Sequence, residues 1–274
     1  MTDDIKPRTV SPRKWALLTA TSLAAAAPLA LPVLSAGGLL YATSAEAGEA
    51  GEAGEGGESG EAGVARSEGP SAFLTELGYF EGTYLIIANL YLSGDKDTAR
   101  AHMEESHHAM YEDIAPKLAD LGAPGFDAAA KTFNDAVADG APDAEVSAAL
   151  ETLLAEVKAA GKAAKLSLRD QLVSIKDLLA LSHAEYEGGV DDGEVEVPIE
   201  FRDSWGFYET ARLRAEAMAA DSDPATARAG EAVLEKLAGL DTLYPSLTAE
   251  RAPADPSPLA AAAGWVEIIA LRQD

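Results

Sequence analysis

The 274-residue chain contains no cysteine, so disulfide bonds, thiolate metal sites and cysteine nucleophiles are all excluded. Basic residues are scarce as well: 21 lysines and arginines stand against 46 aspartates and glutamates, and the formal net charge is −25. A surface of that charge repels nucleic acid and anionic lipid headgroups, and it attracts cations or a basic protein partner. The composition therefore argues against nucleic-acid binding, and stability has to come from core burial, helix packing or a bound ligand.

Sequence motifs of several enzyme classes are also missing. There is no Gly-x-Ser-x-Gly nucleophile elbow and no glycine-rich phosphate-binding loop. Carboxylate-bridged di-iron bundles need a Glu-x-x-His motif on each of two helices. Here Glu104-x-x-His107 and Glu105-x-x-His108 overlap on one predicted helix, and no glutamate precedes His183 by three residues. We therefore expect that the protein is not an enzyme.

The one long apolar run lies near the N-terminus. Four basic residues among the first 14 precede an apolar stretch over about residues 15–34, and Ala45-Glu46-Ala47 has the Ala-x-Ala pattern of a signal-peptidase site. We predict a signal peptide over residues 1–47, a periplasmic or otherwise exported protein, and no membrane insertion after cleavage. The alternative is an uncleaved membrane anchor, against which Pro28 and Pro32 argue.

A run rich in glutamate, glycine and alanine follows the signal peptide. Glutamate recurs at every third position from Glu46 to Glu61, and the run offers nothing that could form a core. The glycine period lacks the proline of a collagen repeat. We predict a flexible, disordered acidic linker over residues 48–69.

From residue 70 onward the apolar residues recur with a helical period, without long strand-like alternation. This pattern predicts an all-α fold over residues 70–274: an antiparallel helical bundle of roughly six to eight helices, with a division into two sub-bundles that meet near Gly161 as one possible arrangement. The predicted helices span residues 72–93, 97–122, 127–139, 143–160, 167–187 and 199–220, with two more after Pro224 and Pro258. A core stripe on the first helix comprises Phe73, Leu77, Phe80, Tyr84, Ile87 and Tyr91.

Side chains that bind metal are concentrated in one short segment. Three of the four histidines and two of the four methionines fall within residues 102–110, closely followed by Glu112. Imidazole and thioether donors beside carboxylates are ligands of transition metals. The sequence therefore predicts a metal site at this segment.

On one continuous helix these side chains divide into two sets. The first set is soft and buried, and it suits copper: Met103, His107 and Met110. The second is harder and outward-facing, and it suits iron, zinc or manganese: His102, Glu105 and Glu112, with His108 at its margin. Each set needs ligands from another helix, for which the candidates are Glu81, His183 and Glu185. The alternative is that the methionines and His107 are ordinary core residues and the other side chains are solvated.

The segment from Glu185 to Phe207 carries a resemblance to a known family. It contains Glu-Tyr-Glu-Gly-Gly-Val-Asp-Asp-Gly-Glu-Val from residue 185, then Glu-Phe-Arg-Asp from residue 200 and Gly-Phe from residue 206. This resembles a helix-turn-helix segment of exported helical domains associated with bacterial high-affinity iron permeases. The resemblance implies an extracytoplasmic helical domain that handles metal, with Glu185, Asp192 and Glu200 as the matching acidic positions.

A shorter likeness lies in the histidine segment. The pattern His102-x-x-Glu105 is similar to the His-x-x-Glu motif of imelysin-like helical metal-uptake proteins, although the preceding glycine of that motif is absent here. The resemblance implies the same class of function, which is metal uptake by a helical protein.

Taken with the composition, these patterns predict an exported helical-bundle protein that binds an iron or copper ion for uptake, delivery to a membrane metal transporter, or sequestration. No other cofactor is expected. The alternative function is a non-catalytic interaction module at the cell envelope, whose acidic surface docks a basic protein partner. Binding that depends on salt but not on metal would favour that alternative.

Overall fold

The computed structural model describes residues 69–106, 108 and 111–273, which are mainly α-helical. The helices are α1 (Pro70–Leu92), α2 (Lys96–Glu105), α3 (Tyr111–Leu121), α4 (Asp127–Ala138), α5 (Asp143–Ala163), α6 (Leu168–Gly189), α7 (Pro198–Ala219), α8 (Pro224–Leu237) and α9 (Ser257–Ala270). A short antiparallel hairpin, β1 (Val190–Asp191) and β2 (Glu194–Val195), connects α6 to α7. The predicted all-α fold is confirmed. Within these described residues, no helix combines the length and apolar character needed to span a membrane.

The predicted signal peptide over residues 1–47 and the predicted linker over residues 48–69, apart from Gly69, lie outside the described residues. Both stay predictions, as does the boundary placed at residue 70.

Several helix starts follow from capping residues that the sequence places there. The side chains of Asp95 and Asp223 each accept a hydrogen bond from the backbone N–H three residues on, at 3.2 and 2.9 Å. Ser167 and Asp170 form a reciprocal capping box at the start of α6. Proline stands in the first turn of α1, α7, α8 and α9, where its missing N–H removes no helical hydrogen bond.

Three predicted helix ends are confirmed at glycines. Gly94, Gly122 and Gly140 have φ values of 98°, 61° and 71°, and they follow α1, α3 and α4. This left-handed conformation ends a helix at little cost only when the residue has no Cβ.

The helix predicted over residues 167–187 extends two residues further, to Gly189. Gly188 and Gly189 belong to the last turn of α6, and the chain reverses at Asp192 and Gly193, where φ is 45° and 80°. A Cβ at Gly189 would lie 2.6 Å from the backbone nitrogen of Phe201. The paired glycines therefore serve the close approach of α7 to α6, and the turn is made four residues later.

The apolar core divides into two clusters. One is built mainly from α1 to α5 and includes the whole predicted stripe of α1, and the other is built mainly from α6 to α9. The two clusters come together where α1 crosses α7, because a Cβ on Gly82 would lie 3.0 Å from the backbone carbonyl of Gly206. The division falls after Ala163, close to the expected position at Gly161.

The single helix predicted over residues 97–122 is wrong, because α2 and α3 occupy that span. Ser106 leaves the helical conformation with φ −73° and ψ 127°, while its N–H donates to the His102 carbonyl at 3.0 Å and closes the last turn of α2. The described residues consequently contain nine α-helices rather than six to eight.

Candidate metal centre

His102 lies at the end of α2 and is completely buried, with 0 % of its surface exposed. The prediction that it points outward is therefore wrong, because this side of α2 faces Asp203 on α7 instead of solvent. Its Nε2 lies 3.5 Å from Oδ1 of Asp203. Neither ring nitrogen has a hydrogen-bond partner among the described residues. Burial lowers the His102 pKa to about 4, an effect that the neighbouring Asp203 charge only partly opposes.

Asp203 also contacts a second histidine. Its Oδ2 lies 3.5 Å from Nε2 of His108, whose side chain is 11 % exposed, whereas the side chain of Asp203 is 4 % exposed. On one continuous helix, residues six positions apart would point about 120° apart and lie about 9 Å apart along the axis. Both histidines reach the same carboxylate because the helix stops at Ser106.

Aromatic rings surround His108 on the side away from Asp203. Its ring centroid lies 6.0 Å from that of Tyr79 and 5.5 Å from that of Phe207, both with edge-to-face geometry. Tyr79 and Phe207 contact each other at 5.5 Å. These rings restrict the imidazole to orientations that direct Nε2 towards Asp203.

Two further carboxylates are buried in the same part of the α6–α7 interface. Glu185 is 0 % exposed and Glu200 is 1 % exposed. A Cβ at Gly188 would lie 1.8 Å from Oε2 of Glu200, so the carboxylate in this position packs directly against the glycine. Glu185 precedes Gly188 by three residues and Asp203 follows Glu200 by three, so each pair shares one helix face.

A polar network fixes α6 against α7 next to this site. The hydroxyl of Ser204 donates to the Ser182 carbonyl at 2.7 Å, and the hydroxyl of Tyr244 lies 2.7 Å from Ser204 Oγ and 3.0 Å from Ser182 Oγ. All three residues are buried. Because Ser204 is adjacent to Asp203, the network holds the backbone that carries the carboxylate.

Arg202 supplies the nearest positive charge. Its Nε donates to the Leu247 carbonyl at 3.1 Å. Burial lowers the pKa of the guanidinium, and the negative charges of Asp95, Glu105 and Asp203 partly offset this lowering. The region thus contains three buried carboxylates beside one half-buried cation.

Two predicted partner residues make other contacts. Glu81 accepts from Nε of Arg214 at 3.0 Å, and Arg214 also donates to Ser174 at 2.7 Å. Arg214 follows Asp203 by eleven residues, which is about 16 Å along α7. His183 pairs instead with Glu187, whose side chain is 61 % exposed, at 3.4 Å.

The remaining predicted metal ligands lie in the core, at the surface or outside the described residues. Met103 is half-buried and packs against the α1–α5 core cluster, whereas Glu105 and Glu112 are exposed. His107 and Met110 lie outside the described residues. Among residues 69–106, 108 and 111–273, no group of three or more histidine and acidic side chains forms a ready-made metal cage.

The sequence pattern did not identify Asp203 as a candidate ligand. It identified Glu185 on α6, and Glu200 was named only as a position that matches the iron permease-associated segment. A usable signal was present: Glu200 and Asp203 are three residues apart on a helix whose same face carries Ser204 and Phe207. An acidic pair inside an apolar helix stripe indicates buried carboxylates.

Part of the chain, which includes the acidic residues of this centre, matches a known protein family. Residues 166–268 match the model of the family described as iron permease-associated 4-helix bundle domain. The matched segment spans α6, the hairpin, α7, α8 and most of α9, and so coincides with the second core cluster. It confirms the association suggested by the Glu185–Phe207 segment and links this part of the chain to iron uptake.

Glu185, Glu200 and Asp203 lie inside the matched segment, whereas His102 and His108 precede it. A search of curated proteins and a search of solved structures found no match.

Proposed function

We propose that this protein binds iron at the centre formed by Asp203, His102 and His108 and passes it to a membrane transporter. The observation that carries the proposal is the buried His102, which faces a buried carboxylate and has no hydrogen-bond partner among the described residues. A buried polar group without a partner costs about 1 to 3 kcal/mol. A bound cation would satisfy His102 and Asp203 together.

The distances and protonation state support this assignment. Two donor atoms that each lie about 2.1 Å from one ion, at a tetrahedral angle, are about 3.4 Å apart. The His102–Asp203 and His108–Asp203 separations are both 3.5 Å. The lowered pKa keeps His102 neutral at pH 7, which is the form that coordinates metal.

The donor types favour iron over copper. The buried carboxylates of Glu185, Glu200 and Asp203 are hard oxygen donors, and with imidazole they suit iron better than Cu(I). We assign Glu185 and Glu200 as further ligands. The thioether of Met103, which a copper site would use, is on a residue that packs against the α1–α5 core cluster.

The transporter as partner rests on the family match, whose description names an association with iron permeases. Export is part of the same proposal, because a protein that supplies a permease has to act on the side from which the metal enters. The excess of acidic residues would raise the local cation concentration around the site.

Metal titration of the full-length chain tests the proposal. Fe(II), under anaerobic conditions, should bind with a stoichiometry of one and raise the melting temperature, and Zn(II) and Cu(I) provide the comparison. Asp203→Asn and His102→Gln should each weaken Fe(II) binding at least about tenfold, since each removes a ligand. Near-UV circular dichroism verifies that the variants are folded.

The ion pair between His183 and Glu187 on α6 provides matched controls. Glu187→Gln removes the same charge as Asp203→Asn, and His183→Gln makes the same change as His102→Gln, at two residues that pair with each other at 3.4 Å. Both controls should bind Fe(II) as the parent protein does. Unchanged affinity in Asp203→Asn and His102→Gln, or a loss confined to the controls, would overturn the assignment.

A further inference from the structure

A second site lies apart from the candidate metal centre, in a cavity of about 520 Å³ between α1, α5, α6 and α7. Cavities of roughly 300 to 1,000 Å³ are the usual size of small-molecule sites in proteins. Its walls are largely aliphatic and include side chains from both core clusters: Leu74, Leu77, Val157, Ile175 and Met218. An apolar ligand body would be accommodated there by burial of its surface.

One rim of the cavity is strongly basic. Lys158 and Lys162 are four residues apart and share one side of the last turns of α5, and Lys165, with a φ of 48°, lines the same rim just after that helix. All three are exposed, and within the described part of the chain none of them lies within 4 Å of a carboxylate. Three unpaired lysines together are unusual in a chain with a net charge of −25.

The acidic residues that also line the cavity are already engaged. Glu81 accepts from Arg214 at 3.0 Å, and Asp221 accepts from the backbone N–H of Asp223 at 2.8 Å. With Glu81 paired to Arg214, the lining carries the three lysine charges against the one charge of Asp221, so its net positive charge attracts an anion to the mouth of a largely aliphatic space.

We propose that this cavity binds an anionic amphiphile, with an aliphatic body among the leucines and a single carboxylate head at Lys158, Lys162 and Lys165. The aliphatic walls supply affinity, and the lysine rim selects the charge of the head. The site is independent of the proposed iron centre, because Asp203 and both of its histidines lie outside the cavity lining.

Three probes that share a ten-carbon chain separate the contribution of the aliphatic body to binding from that of the charged head. Decanoate, decanol and decyltrimethylammonium are titrated into the full-length protein by calorimetry, each below its aggregation concentration. Decanoate should bind with a stoichiometry of one and at least tenfold more tightly than decanol, and the cationic probe should not bind. Absence of decanoate binding, or equal binding of decanol, would overturn the proposal.

A triple variant tests the lysine rim. Replacement of Lys158, Lys162 and Lys165 by alanine should reduce decanoate affinity at least tenfold and leave decanol binding unchanged. The charge-matched control replaces three exposed or half-buried lysines outside the cavity lining, namely Lys117, Lys131 and Lys236. This control should bind decanoate as the parent does, and equal losses in the two variants would contradict a specific site.

Discussion

The crossing of α1 and α7 provides the sharpest test of the packing. Gly82 and Gly206 let the two backbones touch, and a Cβ added at Gly82 would lie 3.0 Å from both the carbonyl carbon and the carbonyl oxygen of Gly206. Ordinary van der Waals contact begins at about 3.5 Å. Because the obstructing atoms belong to the backbone, Gly82→Ala can be accommodated only if the helices separate by about 0.5 Å.

The expected cost follows from two opposing terms. Overpacking of a closely packed contact typically costs about 1 to 3 kcal/mol. The change from glycine to alanine inside a helix returns up to about 1 kcal/mol, since glycine loses more backbone entropy on folding. We therefore expect Gly82→Ala to lower the free energy of unfolding by about 1 to 2 kcal/mol.

The chain contains a matched control on α9. Gly264 is exposed, and nothing lies within 4 Å of the position its Cβ would take. Gly264→Ala should therefore raise the free energy of unfolding by about 0.5 to 1 kcal/mol. Urea unfolding followed by circular dichroism measures both variants. If Gly82→Ala proves as stable as the parent while Gly264→Ala is stabilised, the close crossing of α1 and α7 is refuted.

Three further predictions concern pH, a helix cap and a second helix contact. In the metal-free protein the His102 pKa is lowered from 6.5 to about 4, so the unfolded state takes up the proton more readily. The stabilisation from neutral His102 is present above pH 6.5 and is lost as pH falls towards 4, by about 2 kcal/mol between pH 7 and pH 5. Urea unfolding of His102→Gln over the same range should show a correspondingly smaller loss, and parallel curves would contradict it. Ser167→Ala removes the capping box made with Asp170 and should lower the urea midpoint by the equivalent of about 1 kcal/mol, whereas an unchanged midpoint would show that the cap is dispensable. Gly230→Ala places a Cβ 2.3 Å from the backbone nitrogen of Ala219, so its thermal unfolding should show a larger loss of stability than the α1 substitution.

Helix positions could be predicted because their causes are local. The stripe from Phe73 to Tyr91 follows a period of 3.6, and every member is buried. Gly94, Gly122 and Gly140 end helices through their own backbone conformation. Gly188 and Gly189 are also glycines near a helix end, but their role is different. They allow Glu200 and Phe201 on another helix to approach closely.

The candidate metal centre could be predicted only in part. The sequence indicated the histidine segment and Glu185, since metal-binding residue types are concentrated there. It assigned His102 to the wrong side of its helix, because a helical wheel assumes that the helix continues. The ψ of 127° at Ser106 ends α2, and neither glycine nor proline stands close to Ser106 to signal it, since Pro116 lies ten residues further on, inside α3.

The amino-acid sequence by itself determined the all-α class, the caps and the core stripes, since these depend on interactions within about one helical turn. It also determined the acidic surface and the association with iron permeases in the segment from 166 to 268. Only the tertiary structure decided that Asp203 lies 3.5 Å from both His102 and His108. Those residues are separated by about a hundred positions in the chain, and their meeting depends on where the tertiary fold places α2 and the residues after it relative to α7, which no local pattern encodes.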